Sequence, residues 1–73
     1  MDWRKFITAK AEICHGRACF DGTRIMVTVV LDCLASGMTA DEIVREYPSL
    51  SKDHILASLS YSAELAKERI VAA

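Results

Sequence analysis

Cys14, His15 and Cys19 stand close together near the start of this chain, and thiolate with imidazole is the usual ligand chemistry of zinc. A closed site needs a full tetrahedral set, and the remaining candidates are Cys33, inside an apolar run, and His54, far along the sequence. No metal centre is expected from that spacing, and the cysteines read as small apolar thiols. A thiol nucleophile served by His15 fares no better, because adjacent residues on a strand or turn point apart. Asp41, Glu42 and Glu46 could in principle hold a cation or move protons. They sit where a helix N-terminus attracts acidic side chains in any case, so they read as a solvated face. Gly16 and Gly22 match no nucleotide-binding spacing and read as turn residues. The sequence therefore points to no catalytic residue and no cofactor.

Binding chemistry is better represented. Residues 1–25 carry five bases and three acids, whereas residues 26–73 carry four bases and seven acids, for a net charge of -1. Non-specific affinity for DNA comes from lysine and arginine near phosphates, so Arg4, Lys5, Lys10, Arg17 and Arg24 are the candidate phosphate contacts. Ser51, Lys52, His54, Ser58 and Tyr61 would face a major groove if the last helix served as a recognition helix. Asp53 and the acidic excess of residues 26–73 oppose that use. The competing class is a protein-interaction or oligomerisation module, with Trp3, Phe6, Phe20, Ala66 and Ile70 as its contact candidates.

The elements that must position these side chains follow from pattern. Residues 1–16 lack a sustained period and read as an extended arm. Residues 17–26 form two short β-compatible runs around Asp21-Gly22, a pair favoured in tight turns, and predict a hairpin. In residues 27–36, Val27, Val30, Leu31 and Leu34 fall at helical spacing before Gly37, a helix stop, although the β-branched start weakens the helix. Thr39-Ala40-Asp41-Glu42 is a capping box, with Met38 and Ile43 as a hydrophobic staple, and predicts a helix over 39–47 that ends before Pro48. Ser51 opens a third helix over 51–70, whose Ile55, Leu56, Leu59, Ala63, Ala66 and Ile70 are expected on one buried face. A short helix, a tight turn at Pro48-Ser49-Leu50 and a longer helix make a helix-turn-helix layout.

Length and composition bound the rest. A chain of 73 residues makes one domain with a small core. Its hydrophobic content of 52% exceeds what a monomer of this size can hide, which predicts a homodimer or larger homo-oligomer. The odd cysteine count, without a secretory signal or an apolar run long enough to span a membrane, fits a soluble, cytoplasmic protein.

The run Cys14-His15-Gly16-Arg17-Ala18-Cys19-Phe20-Asp21-Gly22-Thr23-Arg24-Ile25, followed by Leu34-Ala35-Ser36-Gly37, the acidic helix and Tyr47-Pro48, resembles the prokaryotic domain-of-unknown-function family numbered 433 over nearly the whole chain. Ala18 and Met26 stand where that family usually has prolines, and Ser60-Tyr61-Ser62 where it has an Ala-Tyr-Ala-like segment. The resemblance implies a mainly α, homeodomain-like three-helix bundle with a short N-terminal hairpin. It also implies the antitoxin half of a toxin-antitoxin pair, binding operator DNA and a toxin that often resembles a PIN-type ribonuclease.

Overall fold

The structure, a computed structural model, describes residues 1–9 and 14–69. The expectations placed on Lys10 and Ile70 lie outside these residues. A 3₁₀ turn, Trp3–Lys5, leads into strand β1, Ile7–Thr8, which pairs antiparallel with β2, Cys19–Phe20. Three helices follow: α1, Val27–Ala35, α2, Ala40–Glu46, and α3, Lys52–Arg69. The fold is the expected one, mainly α with three helices and a small two-stranded antiparallel sheet at the N-terminal end.

The N-terminal arm differs from its expected extended form. Asp2 caps the first turn by accepting the Arg4 amide at 3.2 Å, and the strand that follows pairs Ile7 with Phe20 and Thr8 with Cys19. Thus the arm itself supplies one strand of the sheet. The Asp21-Gly22 turn is also present, with Gly22 at φ 78° and the Thr23 amide bonded to the Phe20 carbonyl at 3.0 Å. Beyond it the chain returns through Phe20 N–H to Ile25 O and a single bridge between Cys19 and Met26. β2 is therefore flanked on both sides, which a two-residue strand needs for stability.

That return segment also resolves the weak start of α1. Met26 offers no side-chain cap, yet the Val27 amide donates to the Ala18 carbonyl at 3.0 Å, so an otherwise orphaned helix donor is satisfied by the loop before β2. The helix ends as its sequence demands. Gly37 takes φ 97°, a left-handed conformation that costs a Cβ-bearing residue roughly 1 kcal/mol, and its amide bonds the Leu34 carbonyl at 3.0 Å. In α2 the capping box forms in both directions: the Glu42 amide donates to Thr39 Oγ1 at 3.2 Å, and the Thr39 amide donates to Glu42 Oε1 at 2.9 Å.

The core sits where the sheet meets the three helices. Ile7, Phe20, Val27, Val30, Ile43, Leu50, Ile55 and Ala57 are buried there, with Met38 half-buried and packed against this cluster. The expected buried face of α3 needs correction. Its buried side runs through Ile55, Ala57 and Ser58, with Tyr61 and Ser62 half-buried, whereas Leu56 and Leu59 are 54% and 47% exposed and Ala63 and Ala66 also face solvent. The reason is chemical: Ser58 Oγ donates to the Ile55 carbonyl at 2.7 Å and Ser62 Oγ to the Ser58 carbonyl at 2.9 Å, so both hydroxyls are satisfied locally and cost little to bury.

Candidate interaction surface

The residues expected to read DNA do not form one outward surface. Ser58 is fully buried. His54 is half-buried, its ring meeting Phe6 and Phe20 edge-on at 5.2 and 5.5 Å between centroids, and its Nδ1 accepts the Ser51 amide at 2.9 Å. Its role is therefore to close the start of α3 and plug the core. Tyr61 packs edge-on against Trp3 at 4.8 Å. Ser51 and Lys52 are exposed at the helix start, where Lys52 Nζ lies 2.7 Å from Asp41 Oδ1 of α2. That pair holds the Asp41 carboxyl below its ordinary range, chiefly through the hydrogen bond from Lys52 and then through its charge. Glu42 is lowered likewise, by the Thr39 amide first and its hydroxyl second.

Four acids, Asp41, Glu42, Glu46 and Asp53, and two bases, Arg45 and Lys52, are exposed on α2 and the first turn of α3. The surface that conventionally meets a phosphate backbone thus carries a net negative charge, which repels it. The bases gather elsewhere. His15, Arg17, Arg24 and Met26 line a cavity of about 460 Å³ beside the loop, where His15 adopts φ 55° and Gly16 φ 78°. Lys5 is exposed on the arm. Arg4 is engaged: its guanidinium stacks over the Trp3 ring at 4.4 Å and bonds Glu64 Oε2 at 3.2 Å, the same oxygen that accepts Trp3 Nε1–H at 3.1 Å.

The aromatic contact candidates also turn inward. Phe20 is fully buried, Phe6 packs on His54, and Trp3 packs on Tyr61, so these three tie the N-terminal segment to α3 within the chain. Among the residues that face outward on α3 is an apolar row, Leu56 and Leu59 with Ala63 and Ala66 continuing it, beside the exposed charges Asp53, Glu64 and Lys67. Near the far end, Leu65 is 44% exposed and joins Val27, Leu31, Tyr61, Ser62 and Arg17 around a groove of about 390 Å³ between α1 and α3. Sequence reasoning missed Glu64 as the clamp for Trp3 and Arg4. It also missed the outward leucines, although their spacing of three residues beside a second, serine-bearing face was visible in principle.

Among the described residues, no three histidine, cysteine or acidic side chains come together to hold a metal, and no helix is long and apolar enough to cross a membrane. Cys19 is buried against the core, its Sγ 3.9 Å from the Thr23 carbonyl oxygen.

Three helices, the last two joined by a tight turn, with a small sheet packed on the third, define a helix-turn-helix domain of the homeodomain-like class. Residues 7–62 match the family described as protein of unknown function (DUF433), and the chain belongs to that family. A solved structure of a DUF433 member protein from Anabaena variabilis has the same fold, with a TM-score of 0.79 and 23% identity. The match covers 89% of this chain and 64% of that one, so this chain spans just under two thirds of its length. No curated protein matches the sequence.

Proposed function

We propose that this chain is a non-catalytic cytoplasmic binding module that acts through protein contacts, as the antitoxin half of a pair whose toxin is a PIN-like ribonuclease. The observation that carries this reading is the inversion of α3: His54, Ser58 and Tyr61 of the would-be recognition face turn inward and its exposed Lys52 pairs with Asp41, while Leu56 and Leu59 face solvent. Exposed leucines at helical spacing suit a protein groove and gain little from a major groove lined with polar base edges. The α1–α3 groove, apolar with Arg17 at its rim, is the surface assigned to the toxin.

The test is co-expression and co-purification with a PIN-like ribonuclease drawn from the same genome. A complex of defined stoichiometry that is lost on Leu65→Asp or Leu31→Asp supports the reading. Its absence, together with tight, salt-sensitive binding to the chain's own upstream DNA, overturns it.

Operator DNA is the second reading, favoured by the gathering of His15, Arg17 and Arg24 around one cavity. In that case the loop, rather than α3, makes the phosphate contacts. Arg17→Ala and Arg24→Ala should then weaken binding to every sequence and flatten its salt dependence, while Lys52→Ala leaves binding intact.

A further inference from the structure

We infer that the outward face of α3 pairs with the same face of a second copy, the two helices running antiparallel about a two-fold axis beside Ser60 and Tyr61. Leu56, Leu59, Ala63 and Ala66 are spaced three, four and three residues apart, the repeat that keeps an apolar seam on one side of a helix through several turns. All four are exposed, and nothing else in the described chain covers them.

Size and charge select the occupant. The first half of the seam is large, Leu56 and Leu59, and the second half is small, Ala63 and Ala66. Antiparallel pairing places Leu56 of one copy over Ala66 of the other and Leu59 over Ala63, so that large fills small at every level. Parallel pairing would set leucine on leucine and leave a gap at the alanines. Along one border of the seam run Asp53, Ser60 and Lys67, each two turns from the next, the two charged residues exposed and Ser60 half-buried between them. The acid and the base are separated by roughly 21 Å of helix. Antiparallel pairing puts Asp53 of each copy beside Lys67 of the other, with the small Ser60 at the centre, whereas parallel pairing sets this border against the partner's opposite border and forms no such pair. The face is thus complementary to itself in shape and in charge, which is the requirement of a two-fold interface between identical chains. Such a dimer occupies the side of α3 that a recognition helix would present to DNA, and it leaves the α1–α3 groove on the opposite side open for the protein partner proposed above.

Sedimentation equilibrium of the full chain from micromolar to submillimolar concentration is the first test, with circular dichroism confirming helix content in every variant. The wild type is expected to be dimeric. Leu59→Asp, changed in both copies at once, should raise the dissociation constant at least about 100-fold while the monomer keeps its helicity. The charge border gives a second readout that does not depend on apolar burial. Asp53→Lys alone and Lys67→Asp alone should each weaken the dimer several-fold, and the double exchange should restore it. A wild type that stays monomeric, a dimer indifferent to Leu59→Asp, or a double exchange no better than its singles overturns the inference. Its failure is separable from that of the function proposed above: a dimer that forms as described yet binds only DNA would refute the protein-partner reading and leave this one standing. Equally, a monomer that captures the ribonuclease through Leu31 and Leu65 would do the reverse.

Discussion

Nδ1 of His54 accepts the Ser51 backbone amide at 2.9 Å, just as Glu42 Oε1 accepts the amide of Thr39 at the same distance at the start of the preceding helix. In both helices the side chain three residues in reaches back to close the entry, but His54 also sets its ring against Phe6 and Phe20. One residue thereby joins the turn of the helix-turn-helix to the N-terminal sheet.

His54→Ala should therefore destabilise the fold, by about 2–3 kcal/mol for the lost ring contacts and the unpaired amide together. His54→Gln keeps a side chain that can reach back and should recover about 1 kcal/mol of that. Urea unfolding of the two variants separates the two contributions. If His54 instead served to read bases, stability would be unchanged and only DNA affinity would fall.

The helices and their ends were legible in the sequence because capping is local chemistry. Thr39 with Glu42, Gly37 and Pro48 act over three or four residues, and α2 begins and ends where they place it. The facing of α3 was not legible, because two rows compete on it. Leu56, Leu59, Ala63 and Ala66 look like the core on hydropathy alone, while Ile55, Ser58, Tyr61 and Ser62 look mixed. The second row turns inward because its hydroxyls bond the helix's own carbonyls and because Tyr61 receives Trp3. That contact spans nearly the whole chain, and no window of sequence contains it. The arm was misread for the same reason: Ile7 has no local partner, and its strand exists through pairing with Phe20.

Ser58 supplies a test of that facing. It is fully buried and donates to a carbonyl on its own helix, so Ser58→Ala removes one local bond and leaves the Ile55 carbonyl within the helix ladder. The expected change in stability is below about 1 kcal/mol, with no change in binding to DNA of any sequence. A loss of sequence-specific affinity in Ser58→Ala, measured by fluorescence anisotropy, would show the residue to be presented outward.

The capping box makes stability depend on pH in a defined direction. Glu42 is held below its ordinary value of 4.5 by the Thr39 amide and hydroxyl, and Asp41 below 3.8 by Lys52. For a group whose pKa is depressed by folding, the contribution is complete above the unfolded value and is lost as pH falls through the folded one. Unfolding midpoints in urea should therefore hold steady down to about pH 5 and decline below it. Glu42→Gln, which keeps a reach-back partner without the charge, should flatten that decline. Thr39→Ala should lower stability by about 1 kcal/mol at neutral pH.

Trp3 is the single tryptophan of the chain, and Glu64 fixes it by accepting its indole N–H while also pairing with Arg4. The Arg4 and Glu64 side chains are 64% and 47% exposed, so solvent screening keeps the ion pair to at most about 1 kcal/mol. Glu64→Gln should accordingly leave the unfolding midpoint nearly unchanged. It should nonetheless release Arg4, whose guanidinium is otherwise neutralised by the carboxylate it touches. Two readouts follow. The fluorescence of Trp3 should report a more mobile ring, through lower steady-state anisotropy, because the hydrogen bond to an ionised acceptor is replaced by a weaker one. Retention on heparin, a polyanion, should rise with the gain of one uncompensated positive charge, and Arg4→Ala added to Glu64→Gln should cancel the rise. Unchanged retention in Glu64→Gln would mean that Arg4 already meets phosphates with Glu64 in place, and would return Arg4 to the set of phosphate contacts from which its pairing now removes it.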